Sequence, residues 1–207
     1  MKRILIVLIV IGAITFIACN NNNKSSKEND TSKMNSDTTK MSAADATQIT
    51  EVTHSFTNVS PQLATSLKVV VDHYLHIKNA LINNSGSEAA NNGKAMVDAI
   101  GKIDKSLLTA GQKKVYDDIE GDLKENAEHI GKSSGDIAHQ REHFSMMSED
   151  VYDLVKAFGG GQSLYHEHCP MADDGKGAMW LSETKEVKNP YFGGKMNKCV
   201  KVQEVIK

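Results

Sequence analysis

The chain has 207 residues, of which 40% are hydrophobic and 24% charged, and its formal net charge at neutral pH is −2. It lacks the cluster of Lys and Arg residues that phosphate contacts require, so we do not expect nucleic-acid binding. The motifs of phosphate-binding loops, serine hydrolases and zinc proteases are also absent from the sequence. We therefore expect a protein that is not an enzyme.

The N-terminus has the features of an export signal. An apolar run from Ile4 to Ala18 follows two basic residues and ends directly before Cys19. The run is shorter than a membrane-spanning helix and has the length of a signal-peptide core. A small residue followed by Cys resembles the processing box of bacterial lipoproteins, which implies cleavage and lipidation of Cys19. We interpret residues 1–18 as a lipoprotein signal peptide and predict a membrane-anchored protein of the cell envelope that faces the periplasm.

The segment after the lipid site is polar. It consists mainly of Asn, Ser, Thr, Lys, Asp and Glu, and it has no aromatic residue before Phe56. Such a composition cannot bury enough apolar surface to offset the entropy lost on ordering. The sequence therefore predicts a disordered tether over residues 19–59.

Helical periodicity begins after this tether. Ser60 is a candidate N-cap, Pro61 occupies the first helical position, and apolar residues then recur with helical period. Lys78 interrupts this apolar stripe, and the turn at 83–87 ends the helix. A second helix, predicted over 87–103, has a thinner stripe and contains two glycines. Both patterns are typical of helices that bury one face.

Two further helices complete the predicted bundle. The third begins at Thr109, which forms a capping-box pattern with Gln112, and the fourth ends at the glycines of 159–161. Short connections between four amphipathic helices favour antiparallel neighbours. We therefore predict an all-α fold, with an up-down-up-down four-helix bundle over 60–158. An irregular, loop-rich tail over 159–207 is expected to pack on it.

The tail contains four motifs in a fixed order: Cys-Pro-Met-Ala at 169–172, Trp-Leu-Ser at 180–182, Asn-Pro-Tyr-Phe-Gly at 189–193 and Met-x-x-Cys at 196–199. With the run REHFSMMSEDVYDLVK at 141–156, these motifs resemble the family catalogued as domain of unknown function 3347. Members of that family occur as envelope lipoproteins and as appendages of periplasmic adaptors of copper and silver efflux pumps. The resemblance therefore implies a metal-efflux adaptor as a partner, but the family name carries no activity.

The tail also concentrates side chains that bind soft metal ions. Thiolates and thioethers favour copper, and imidazoles suit copper and zinc. The candidate ligands are Cys169, Met171, Met196, Cys199, His166 and His168. If the two ends of the tail meet, these donors converge on one point. Copper is the expected ion, and zinc is the alternative.

A second source of ligands lies on the fourth predicted helix. His139 and His143 are four residues apart, a spacing that can chelate a metal, and Met146 lies on the same flank. The alternative is that these are surface histidines without a role. We add His143 to the candidate ligands because it borders the apolar stripe and can meet the tail, and we assign no role to His129.

The cysteines have a second interpretation. With Cys19 lipidated, Cys169 and Cys199 remain, and two such cysteines usually pair in an oxidising compartment. A disulfide between them would remove both thiolates as ligands.

The sequence thus leaves two hypotheses about function open. One is an envelope lipoprotein that binds a soft metal ion, with copper as the expected ion, and that serves metal handling or resistance. The other is a helical interaction module stabilised by that disulfide, which binds an efflux adaptor or another envelope protein without metal.

Overall fold

The computed structural model describes residues 49–207. The predicted signal peptide at 1–18, the lipidation of Cys19 and most of the predicted tether lie outside the described residues. Within the described part of the chain, no helix is both long and apolar enough to span a membrane.

Four helices make up the larger part of the fold: α1 (Pro61–Ile82), α2 (Gly86–Ile100), α3 (Ala110–Lys132) and α4 (Ile137–Phe158). The start signals predicted for α1 and α3 are confirmed. The Ser60 side chain accepts a hydrogen bond from the backbone N–H of Leu63, and Thr109 and Gln112 form both bonds of a capping box. Each helix packs against the next, and α4 also contacts α1.

The prediction of an all-α fold is wrong. A mixed four-stranded sheet accompanies the helices, with strands β1 (Thr50–Val52), β2 (Leu164–Cys169), β3 (Ala178–Ser182) and β4 (Lys201–Ile206) in the order β1-β4-β2-β3. β2 is antiparallel to β3 and β4, whereas β1 is parallel to β4. Local periodicity concealed these strands because they are short and because β2 is bulged between His166 and Glu167, which breaks the alternation of buried and exposed residues.

The folded part also begins earlier than the predicted tether allowed. β1 lies inside residues 19–59 and pairs with β4. The backbone N–H groups of Ser55 and Phe56 donate to the carbonyls of Lys156 and Ala157 at 2.8 and 2.9 Å. The Phe56 ring packs on that of Phe158 with centroids 5.2 Å apart. Backbone hydrogen bonds and one aromatic contact thus hold a segment whose composition alone is that of a linker.

The sheet and the bundle share one core. Trp180 on β3 is fully buried and packs edge-on against Tyr191, which also contacts Phe144 of α4. The hydroxyl of Tyr74 on α1 accepts a hydrogen bond from the backbone N–H of Leu181 at 2.9 Å. Aromatic side chains of the tail therefore seal it against the bundle.

Lys78, which interrupts the apolar stripe of α1, has a structural explanation. It is only 3% exposed, and its ammonium donates to the Glu183 carboxylate at 2.5 Å and to the Ser182 hydroxyl at 3.2 Å. A buried charge is tolerated only when it is paired and hydrogen-bonded. The interruption of the stripe therefore marks the place where the end of β3 meets α1.

Candidate metal centre

The two tail cysteines come together. Cys169 is the last residue of β2 and Cys199 precedes β4, and their free thiols are 3.0 Å apart. This separation is longer than a disulfide bond of about 2.05 Å and shorter than the roughly 3.8 Å between two thiolates on one tetrahedral zinc ion. The pKa of the Cys199 thiol is raised, mainly by its contact with Cys169. The sulfurs are therefore in contact without the geometry of a disulfide or of a shared zinc ion, and the raised pKa favours the protonated thiol of Cys199.

The two tail histidines have other neighbours. The Nδ1 atom of His166 lies 3.8 Å from the Glu204 carboxylate, and its ring packs on Tyr152 with centroids 4.6 Å apart. Burial lowers the pKa of His166. His168 packs against Gly177, in the connection between β2 and β3. Both imidazoles are thus accounted for by contacts within and beside the sheet.

The structure does not bring the histidines of the predicted soft-metal set to its two thiols. Met171 and Met196 are 52% and 44% exposed, and the carbonyl of Met196, not its sulfur, accepts a hydrogen bond from Cys199. Among the described residues, no group of three His, Cys, Asp or Glu donors within 4.8 Å of one another includes Cys169 or Cys199. The two thiols of the predicted set are in contact, but no imidazole in the described part of the chain lies close to both of them.

Three imidazoles converge elsewhere, where α3 ends and α4 begins. His129, His139 and His143 each offer a ring nitrogen, and these donor atoms all lie within 4.8 Å of one another. The rings of His129 and His143 are stacked with centroids 4.1 Å apart, and the ring of His139 stands edge-on to that of His143 at 4.5 Å. All three residues are half-buried, so they combine solvent access with a supported position. We call this group the histidine triad.

Helix geometry explains the triad. His139 and His143 lie one turn apart on α4, and His129 is in the last turn of α3, so the short α3–α4 connection brings all three together. The sequence predicts His143 as a ligand and gives His139 a chelating spacing, but it gives no role to His129. The position of His129 close to the predicted turn was the signal that could have found it.

Two triad members have an oxygen atom next to Nδ1. His143 Nδ1 is 2.9 Å from the Asn126 side-chain oxygen, and His139 Nδ1 is 3.3 Å from the Glu142 carboxylate. An oxygen acceptor at Nδ1 leaves the lone pair of Nε2 free for a metal ion. Burial lowers the pKa of His143, and the nearby His129 and His139 lower it further. Both effects favour the neutral imidazole, which is the form that binds metals.

An acidic cleft of about 340 Å³ adjoins the triad. Its lining residues are Asp122, Glu125, Asn126, His143, Met146, Glu149 and Asp150. Burial raises the pKa of Asp150 to about 6, and repulsion from Asp122, Asp153 and Glu149 adds to this effect, whereas the hydrogen bond from Asn126 opposes it. Crowded carboxylates of this kind attract cations. The chemistry beside the triad is therefore favourable to a positively charged ligand.

Comparison with known proteins supports the family resemblance. The family model described as Protein of unknown function (DUF3347) matches residues 70–163. The matched segment runs from α1 to the end of α4 and includes the histidine triad, whereas the four tail motifs lie beyond it. No curated protein and no solved structure matches the chain.

Proposed function

We propose that this protein, whose residues 70–163 carry the DUF3347 domain, binds a transition-metal ion through the histidine triad. The observation that carries the proposal is the convergence of three imidazole nitrogens within 4.8 Å. Three half-buried imidazoles beside an acidic cleft are typical of a metal site, whereas they are not typical of hydrophobic packing. His143 belongs to both the predicted ligand set and this triad.

Small side-chain movements complete the proposed site. Metal–nitrogen bonds of 2.0–2.1 Å in tetrahedral geometry place two nitrogens about 3.3 Å apart. The rings of His129 and His143 therefore rotate out of their stack when an ion binds, so that their nitrogens approach one another. Both residues are half-buried, and His139 starts from an edge-on position that needs less rotation.

Copper is the proposed ion, with zinc as the alternative. Imidazole binds both ions, and affinity for divalent ions generally peaks at copper. Met146 supports copper because its side chain is 48% exposed and lines the same cleft as His143. A thioether is a soft ligand that selects Cu(I). With three imidazoles bound, Met146 supplies the fourth position for Cu(I), and water supplies it for zinc.

Metal titration tests the proposal. Metal-free protein is titrated with Cu(I), Cu(II) and Zn(II) against chelators of known affinity, and we expect a Kd below about 1 μM for one of them. His129→Ala, His139→Ala and His143→Ala each remove one ligand and should weaken binding at least about tenfold. The matched control is the His73→Ala/His76→Ala double variant, which removes two imidazoles from α1 and should bind like the wild type. Equal metal affinity of the control and the triad variants would exclude the triad as the metal site.

The cellular setting remains part of the proposal. We propose an envelope lipoprotein, anchored through Cys19, that handles copper for resistance or delivery and works with a metal-efflux adaptor. Support comes from the N-terminal sequence and from the family resemblance. Labelling of the expressed protein with a fatty-acid analogue should modify the wild type but not Cys19→Ala. Co-purification of a metal-efflux adaptor from membranes tests the partner.

One observation favours the second candidate function. The free thiols of Cys169 and Cys199 are 3.0 Å apart, which is close enough for oxidation to form the disulfide of a metal-free interaction module. In that case the native protein has no free thiol at these positions, and added copper or zinc leaves its melting temperature unchanged. A metal-dependent rise in melting temperature that is lost in His143→Ala would favour the metal site instead.

A further inference from the structure

The histidine triad depends on more than its three ligands. We infer that Asn126 and Asp150 position His143 for metal binding by deciding which of its ring nitrogens carries the proton. The inference rests on the proposed metal site and deepens it, because it concerns two side chains that do not touch the ion.

Asn126 lies between the imidazole and a carboxylate. It is 6% exposed and sits on α3, and its side-chain oxygen is 2.9 Å from His143 Nδ1. Its side-chain nitrogen donates to the Asp150 carboxylate at 3.4 Å. The three side chains thus form a chain of hydrogen bonds that connects α3 and α4. Because Asn126 is buried, solvent does not readily replace either bond.

The direction of this chain follows from the chemistry of its members. An ionised carboxylate only accepts hydrogen bonds, so Asp150 requires the NH₂ group of Asn126 on its side. The amide oxygen of Asn126 then faces His143, and since that oxygen only accepts, His143 must donate from Nδ1. In a neutral imidazole the other nitrogen, Nε2, is left with the lone pair. Asp150 therefore acts on the tautomer of His143 through Asn126.

The reverse arrangement would block the site. If the Asn126 amide turned over, its NH₂ group would face His143 Nδ1, which would then accept, and Nε2 would carry the proton. A protonated Nε2 has no lone pair for a metal ion. With the observed orientation, His143 needs no change of tautomer before it binds an ion through Nε2.

Glu142 serves as an internal comparison. It accepts at His139 Nδ1 at 3.3 Å, but its side chain is 66% exposed, so water can take its place. We expect Glu142→Ala to change metal affinity by less than about threefold, because an exposed hydrogen bond of this kind contributes little. The buried Asn126–Asp150 pair should have a much larger effect.

Nuclear magnetic resonance of the metal-free protein tests the inference directly. Long-range proton–nitrogen correlation spectra of protein with ¹⁵N-labelled histidine identify the protonated nitrogen of each ring. The spectra are recorded at a pH well above the pKa of Asp150, which is about 6. We expect His143 to be protonated at Nδ1 in the wild type. In Asn126→Leu and Asp150→Leu, we expect a shift of His143 toward protonation at Nε2.

Metal titration of the same variants gives the second readout. Asn126→Leu and Asp150→Leu should bind copper or zinc about 10–100-fold more weakly than the wild type, as loss of an outer-shell partner does at other metal sites. Asn126→Asp is the conservative rescue, because the new carboxyl group and that of Asp150 share one proton and the group at position 126 still accepts from Nδ1. It should retain the tautomer and bind within about threefold of the wild type. A residue needed only for folding would not show this rescue.

Two results would overturn the inference: protonation of His143 at Nε2 in the wild type, or wild-type affinity in both leucine variants. If Asn126→Leu does not fold, Asp150→Leu tests the inference by itself, because Asp150 is only half-buried. Circular dichroism checks that this variant is folded. Absence of metal binding by a wild type protonated at Nδ1 would overturn the proposed function and support the tautomer assignment. The two failures are therefore distinguishable.

Discussion

Glu167 shows how one residue on β2 can influence the stability of the fold. Its side chain is fully buried, and neither carboxylate oxygen has a hydrogen-bond partner among the described residues. Burial raises the pKa of Glu167 from 4.5 to about 8, although attraction to Lys78 opposes the shift. In the folded protein at neutral pH this carboxyl is therefore mostly protonated. In the unfolded chain it is ionised.

This difference in protonation predicts that the free energy of unfolding falls as the pH rises. A raised folded-state pKa means that the contribution of Glu167 to stability is fully present below pH 4.5 and is lost as the pH rises to about 8. Glu167→Gln removes this dependence. We expect the variant to match the wild type near pH 4 and to exceed it near pH 7.5 by roughly 1–3 kcal/mol. Urea unfolding at both pH values measures the difference, and a gap independent of pH would contradict the explanation.

The contact of Cys169 with Cys199 predicts reversible oxidation. In a Cys19→Ser background, a mild oxidant should reduce the number of free thiols from two to none, because the sulfurs are 3.0 Å apart. The disulfide closes a loop between positions 30 apart and should stabilise the fold by about 3–4 kcal/mol in the loop-entropy model.

Cys199→Ser is the better control for this prediction, because Cys199 is half-buried while Cys169 is fully buried. The serine variant should keep one free thiol and should not gain stability when oxidant is added. Two thiols that persist in the wild type after oxidation would show that the side chains do not reach disulfide geometry.

Among the elements, α2 shows how a weak apolar stripe can still support tight packing. A Cβ atom at Gly93 would lie 2.8 Å from both the Ala127 carbonyl oxygen and the Gly131 backbone nitrogen. The glycine therefore allows the backbones of α2 and α3 to touch. The other glycine of the predicted second helix, Gly101, follows α2 as its C-cap, and a Cβ atom there would have ordinary contacts only.

Gly93→Ala should destabilise the protein even though alanine favours helices. The gain in helix propensity is about 1 kcal/mol, whereas forcing a methyl group against a neighbouring backbone costs roughly 1–3 kcal/mol. The matched control is Gly121→Ala on α3, where a Cβ would have no atom within 4 Å. Thermal unfolding should show a lower melting temperature for Gly93→Ala and an unchanged or higher one for Gly121→Ala. The opposite order would contradict the close helix contact.

At the scale of the whole molecule, the sheet and the bundle share one hydrophobic core, so we expect them to unfold as one unit. Trp180 is the only tryptophan in the sequence, and it is buried where β3 meets the helices. Its fluorescence therefore reports on the sheet, while far-ultraviolet circular dichroism reports mainly on the helices. We expect the two signals to change together during urea unfolding, as in a two-state transition. A fluorescence change at lower urea would indicate a sheet that unfolds separately.

The helices and their caps could be predicted from the sequence because each depends on residues a few positions apart. Ser60 and Thr109 cap helices through bonds to residues three positions on, and the spacing of His139 and His143 places them on one helix face. Amphipathic periodicity likewise predicted the four helices of the bundle. These features are set by local backbone geometry.

Only the tertiary structure decided the sheet and the composition of the candidate site. Thr50 pairs with Glu204 at the other end of the described chain, and no local pattern specifies such a partner. His129 joins His139 and His143 because two helices pack, whereas among the described residues no such group of three donors includes Cys169 or Cys199. Contacts between distant residues depend on how all elements pack together. Periodicity therefore predicts which faces are buried, but it does not specify which element packs against each face.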